Sequence, residues 1–257
     1  MDTAVALALG AIIGVLLGLL GGGGSILAVP ALVFGLGLDL EQAIPISLLV
    51  IGVASLAGAV PKIREHQVNW RMVGVFAACG IPATFAGSAI GRLLPQSVVL
   101  IGFAAVMVVA GIRMLMDRGD TGTACEVGDS GIDWRRCAPR SIPAGIAVGL
   151  LTGLFGVGGG FLIIPALVLM LGLDMSVAVG TSLVIIVANS AAGLVSHLSG
   201  ASIDWAITFA FAGTAIAGSL IAGHFGTKVD TDRLQRWFAY LVFVVAAYVL
   251  IDTILLR

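Results

Sequence analysis

Apolar runs alternate with short polar or glycine-rich breaks from one end of this chain to the other. Charge-free stretches run from Thr3 to Leu38, from Gln42 to Pro61 and from Met72 to Gly91, and Asp174 is the lone charge between Arg140 and His197. A bilayer-spanning helix needs about 20 mostly apolar residues, so these windows predict several spans. The breaks divide the chain into ten helical pieces: about 4–20, 24–37, 40–60, 70–91 and 96–116, then about 141–155, 159–172, 175–197, 204–225 and 231–255. A polar segment, 117–140, separates the two sets of five.

The two sets are copies. Gly18-Leu-Leu-Gly-Gly-Gly-Gly-Ser-Ile-Leu-Ala-Val-Pro30 returns 135 positions later as Gly153-Leu-Phe-Gly-Val-Gly-Gly-Gly-Phe-Leu-Ile-Ile-Pro165. The register then holds without a gap through Gly37-Leu38-Asp39 and Gly172-Leu173-Asp174, Ser47 and Ser182, and Trp70 and Trp205. Upstream, Gly10, Gly14 and Gly18 match Gly145, Gly149 and Gly153. Duplicated apolar units interrupted by glycine and proline are a sequence sign of membrane transporters. The domains read as repeat 1 over 1–116, a junction loop over 117–140 and repeat 2 over 141–257.

The first two pieces of each copy are expected to be too short to cross comfortably. They would meet at the glycine run as a re-entrant or half-helix hairpin, whose irregular backbone has to be covered by protein or line a cavity. Five pieces is an odd number, so the second copy starts on the opposite side from the first. In that inverted arrangement eleven Lys and Arg face one side, and Arg92 and Arg257 face the other; a parallel arrangement gives nine against four. The positive-inside rule favours the inverted model, with 117–140 cytoplasmic and both termini outside. Met-Asp-Thr lacks the positive charge of a signal peptide, so the first helix is expected to be retained.

Composition agrees with an all-α polytopic membrane protein. The chain is 59% hydrophobic and 11% charged, with a mean hydropathy of +1.14. No basic stripe offers a nucleic-acid surface. Cys79, Cys125 and Cys137 neither close a disulfide framework nor sit in a metal-ligand pattern, and no enzyme motif is present. Neither a catalytic site, a metal nor a cofactor is expected; the expected partners are the lipid bilayer and a small anionic substrate.

The glycine runs carry the candidate chemistry. Backbone N–H groups opening a helix make an anion-binding concavity, against the plainer reading that glycine permits close packing. Gly22, Gly23, Gly24 and Ser25, with Gly158, Gly159 and Gly160, are the expected substrate contacts. Ser47, Thr181, Ser182 and Asn189 on the third pieces join them, with Ser55 and Ser190 as a further equivalent pair. Pro30 and Pro165 are expected helix kinks. Asp39 and Asp174 precede long helices and read as N-caps.

At these two glycine motifs, with the Pro-Ala-Leu and Gly-Leu-Asp that follow, the chain resembles the TauE/SafE family of membrane transporters. The likeness covers nearly the whole chain in both copies. It implies a multi-pass protein of the bacterial cell (inner) membrane that exports a small sulfur-containing anion, sulfite or an organosulfonate such as sulfoacetate. Ser25 stands where the second copy has Gly160, and Pro45 where it has Gly180, so the half-sites are expected to be unequal. A channel for small solutes and a non-transporting scaffold are the alternatives.

Overall fold

The computed structural model describes residues 2–20, 23–116, 127–128, 131–132, 134–167, 173, 175–197, 205–225 and 231–253. It is helical, apart from a two-residue antiparallel pairing of β1 (Val127–Gly128) with β2 (Gly131–Ile132) in the junction. Repeat 1 consists of α1 (Asp2–Leu20), a short broken segment, α3 (Leu40–Arg64), α4 (Trp70–Leu93) and α5 (Gln96–Met116). The broken segment is a 3₁₀ turn at Gly23–Leu27, α2 (Ala28–Pro30) and a π turn at Ala31–Gly35. Repeat 2 consists of α6 (Trp134–Phe155), the short α7 (Gly160–Pro165), α8 (Met175–His197), α9 (Trp205–Phe225) and α10 (Thr231–Ile251). Among the described residues, α3, α4 and 176–197 of α8 are each long and apolar enough to cross a membrane.

α1 and α6 run for 19 and 22 residues, but the apolar stretches described in them, Leu7–Leu19 and Pro139–Phe155, are shorter than a full span. Gly10, Gly14 and Gly18 do not break α1, because a neighbouring backbone covers them. Among the described residues the breaks in winding fall in the second piece of each copy. The junction is also shorter than 117–140, because α6 begins at Trp134. Both prolines sit where the winding changes: Pro30 closes α2 before the π turn, and Pro165 closes α7 before π-wound Ala166 and Leu167.

Packing follows the duplication. The first helix of each copy lies on the fourth of the other, α1 on α9 and α6 on α4, while α3 crosses α8 and α5 pairs with α10. Glycine makes the first two contacts possible. A Cβ on Gly14 would overlap the backbone of Ala215, and one on Gly149 would lie 2.8 Å from Gly80 Cα. These are equivalent contacts in the 135-residue register. Such close approach replaces the hydrophobic drive, which lipid does not supply between spans.

At the centre, α3 and α8 cross antiparallel. Gly193 lies against Leu48, Gly52 against Ser190, and Gly58 against Leu183, so positions climb in one helix as they fall in the other. In contrast, α4 runs parallel to α8. Asn69 N donates to Thr181 Oγ1 at 2.9 Å near their starts, and Arg92 Nη1 donates to Ser196 O at 3.2 Å near their ends.

Candidate functional site

The crossing of α3 and α8 is lined by branched aliphatic side chains and a few small polar ones. Ile51 and Ile186 occupy equivalent positions and are fully buried. Ser47, Ser55, Thr181, Ser182, Asn189 and Ser190 are also buried. Their hydrogen bonds divide them into two groups.

The first group is engaged. Ser47 Oγ lies 2.7 Å from both Ile44 O and Gly156 O. Its single proton serves one carbonyl or is shared between both, and the second contact ties α3 to the glycine turn of the other copy. Ser182 Oγ donates to Val179 O at 2.8 Å, one turn back in its own helix. Thr181 accepts from Asn69 N at the head of α4, where Asn69 Oδ1 in turn accepts from Met72 N at 3.3 Å. These contacts position helices.

The second group has no partner. Asn189 Oδ1 and Nδ2, Ser190 Oγ and Ser55 Oγ are buried without a hydrogen bond. An unmade bond to a buried polar atom costs roughly 1–3 kcal/mol, and in a bilayer no water is at hand to make it. Asn189 faces Gly80 on α4, while Ser190 faces Gly52 on α3 and Gly158 at the turn before α7. Sequence reasoning named Asn189 but missed Gly80. The available signal was the 135-residue register, which pairs Gly80 with Ala215 and Asn189 with Ala54.

The glycines before α7 serve backbone shape and close approach together. Gly156, Gly158 and Gly159 have φ of +69°, +67° and +69°, the left-handed region that glycine enters at little cost. A Cβ on Gly158 would lie 2.9 Å from Ile51 Cγ2 and 3.0 Å from Ser190 Oγ, and one on Gly159 would lie 2.5 Å from Thr152 Oγ1. Gly160 opens α7 and is buried. In the first copy Gly23 opens the 3₁₀ turn; Gly24 and Ser25 are buried, and a Cβ on Gly24 would sit 2.6 Å from Leu17 N. Gly22 lies outside the described residues, as does Asp174.

A pocket of about 470 Å³ opens at one end of the bundle, lined by Asp39, Glu41, Ile44, Arg92, Gln96 and His197 among others. Asp39 stands at the N-cap position of α3 but makes no side-chain cap bond, so the expected capping role is corrected: the residue lines the pocket. Beneath the mouth, Ile44 is the residue a Cβ on Gly156 would strike. The opposite end carries a close contact instead. There Gly180 packs directly on the backbone of Gln67, and Lys62 Nζ donates to Gln67 Oε1 at 2.9 Å.

Comparison with known proteins puts this architecture in context. Residues 6–249 match the family described as Sulfite exporter TauE/SafE. A probable membrane transporter protein of Xylella fastidiosa is 35% identical over 251 residues, covering 94% of this chain and 92% of that protein. The probable membrane transporter protein YunE of Bacillus subtilis is 28% identical over 253 residues, covering 91% and 92%. No solved structure matches. With the duplicated glycine motif, the apolar helices and a match across nearly its full length, the chain belongs to the TauE/SafE family of membrane transporters.

Proposed function

We propose that the protein exports a small sulfur-containing anion, sulfite or an organosulfonate such as sulfoacetate, by alternating access around a site between its two copies. The observation that carries this reading is the set of unpartnered polar groups on the crossing helices, Ser55 on α3, Ser190 on the side of α8 toward α3 and Asn189 on its side toward α4, all fully or almost fully buried. The family description supplies the sulfur and the direction. The expected set of Gly22 to Ser25, Gly158 to Gly160, Ser47, Thr181, Ser182 and Asn189 then divides by role. Asn189, with Ser190 and Ser55, faces the anion; Ser47, Thr181 and Ser182 hold the elements that move around it.

Two equivalent helices that cross antiparallel support copies of inverted topology. The charge distribution supports the orientation: Lys62, Arg64 and Arg71 lie at the end where α8 starts, the end assigned here to the cytoplasm. The pocket bordered by Arg92 and His197 then faces outward, and the contact of Gly180 with Gln67 closes the inner side. On this reading the pocket belongs to the outward-facing arm of an alternating-access cycle. Exchange of the two arms requires Gly180 to leave Gln67 while the Arg92 end closes.

Flux into liposomes of sulfite, sulfoacetate, thiosulfate and sulfate tests the reading. The expected result is saturable uptake of one or more sulfur oxyanions, with counterflow from the opposite face. Flux that neither saturates nor shows counterflow would make the protein a channel, and no flux of any of the four would sink the proposal.

A further inference from the structure

Asn189 breaks the equivalence of the two copies. In the 135-residue register its counterpart on α3 is Ala54, and the counterpart of Gly80 is Ala215 on α9. α3 packs on α9 as α8 packs on α4. One copy therefore pairs two alanines where the other pairs an asparagine with a glycine. The exchange is a fit of size: the three atoms nearest a Cβ on Gly80 all belong to Asn189, at 2.8 Å from Oδ1, 3.2 Å from Nδ2 and 3.4 Å from Cγ. α4 gives up a methyl group where α8 gains an amide, and that amide is fully buried with both ends unpartnered.

A carboxamide presents two donors and an acceptor in one plane. A ligand made only of acceptors answers Nδ2 and leaves Oδ1 facing negative charge. A ligand with an acidic O–H beside its anionic oxygens answers both ends. Charge points the same way. The Born cost of dehydration grows as the square of the charge, so a dianion costs about four times a monoanion of equal size. No described buried polar side chain is cationic.

We propose that Asn189 is a specificity residue that selects the protonated, singly charged form of a weak-acid oxyanion. Nδ2 donates to an anionic oxygen, and Oδ1 accepts from the O–H. This rests on the reading that the crossing holds a small anion, and it adds which protonation state enters. The protein's own charged groups on the surrounding helices lie toward their ends: His197 on α8, Arg71 and Arg92 on α4, Glu41, Lys62 and Arg64 on α3, and Arg135, Arg136 and Arg140 on α6. Cys79, beside Gly80 in the sequence, carries a free thiol.

The test compares sulfite with methanesulfinate in liposomes holding the full chain. Methanesulfinate replaces the O–H of hydrogen sulfite by a methyl group and keeps one charge at every pH used. At acid pH, where sulfite is singly charged, the wild type is expected to carry it about tenfold faster than methanesulfinate, the worth of one buried hydrogen bond. Raising the pH through the second ionisation of sulfite should lower that ratio, while titration of the protein's own groups cancels from it. Asn189→Ala/Gly80→Ala installs the alanine pair of the first copy, so it is expected to insert and melt as the wild type does. Its preference should fall to near one at acid pH. A double variant that keeps the preference, or a wild type that carries the dianion as fast as the monoanion, overturns the role of Asn189. Failure of the wild type to carry either probe would instead strike the transport reading on which it rests.

Discussion

Replacing Gly158 by alanine tests whether the turn before α7 is wedged into the crossing as tightly as its geometry implies. Two costs add. With φ at +67°, an L-residue there incurs about 1–2 kcal/mol. The new methyl would lie 2.9 Å from Ile51 Cγ2 and 3.0 Å from Ser190 Oγ, both too close, with Ile186 Cγ2 at ordinary contact, 3.4 Å. Overpacking of that kind costs about 1–3 kcal/mol. The sum, about 2–5 kcal/mol, corresponds to a fall of roughly 5–15 °C in the melting midpoint of the purified protein in detergent. The two costs are separable. Ile51→Leu moves the branch away from Cβ and removes the Cγ2 methyl at nearly constant volume, so Gly158→Ala/Ile51→Leu should recover about 1 kcal/mol relative to the sum of the single changes. Gly74→Ala is the control, since a Cβ there meets nothing within 4 Å; it should leave the midpoint unchanged or raise it slightly. If Gly158→Ala melts with the wild type, or if the two changes simply add, the wedge is not what holds the turn.

Along the glycine stripe of α6 a gradient is expected. Gly145→Ala should be tolerated, its nearest neighbour being Phe76 Cα at 3.4 Å, whereas Gly153→Ala, whose Cβ would overlap Thr84 O, should sharply reduce the folded fraction recovered from membranes. Thr181→Val removes the acceptor of Asn69 N and should cost about 1 kcal/mol in melting, with Thr181→Ser restoring it. For orientation, Cys125 and Cys137 should resist an impermeant thiol reagent in intact cells and react once the membrane is permeabilised; ready labelling of intact cells refutes a cytoplasmic junction.

What the sequence could convey depended on whether the information was local. Gly10, Gly14 and Gly18 announce that some backbone comes close, but not whose. The partner, α9, lies some 200 residues away, so the exchange of first helices between copies was invisible. The i, i+4 spacing of these glycines reads as packing, and a neighbouring helix does cover them. Asp39 reads as a cap because aspartate before a helix usually is one, yet only tertiary structure decides whether its carboxylate turns back to the N–H groups or outward to a pocket. Ser47 shows the limit most clearly. Its equivalence with Ser182 marks both as polar positions kept in both copies, which fits substrate contact and helix anchoring equally well. The 2.7 Å approach of its hydroxyl to Gly156 O, 109 positions distant, favours anchoring. Asn189 is the converse case. Burial cost alone singled it out in the sequence, and the structure leaves that cost unmet while removing a side chain from Gly80 to make room. A polar group that packing accommodates and hydrogen bonding does not satisfy is where a transported ligand has the most to gain.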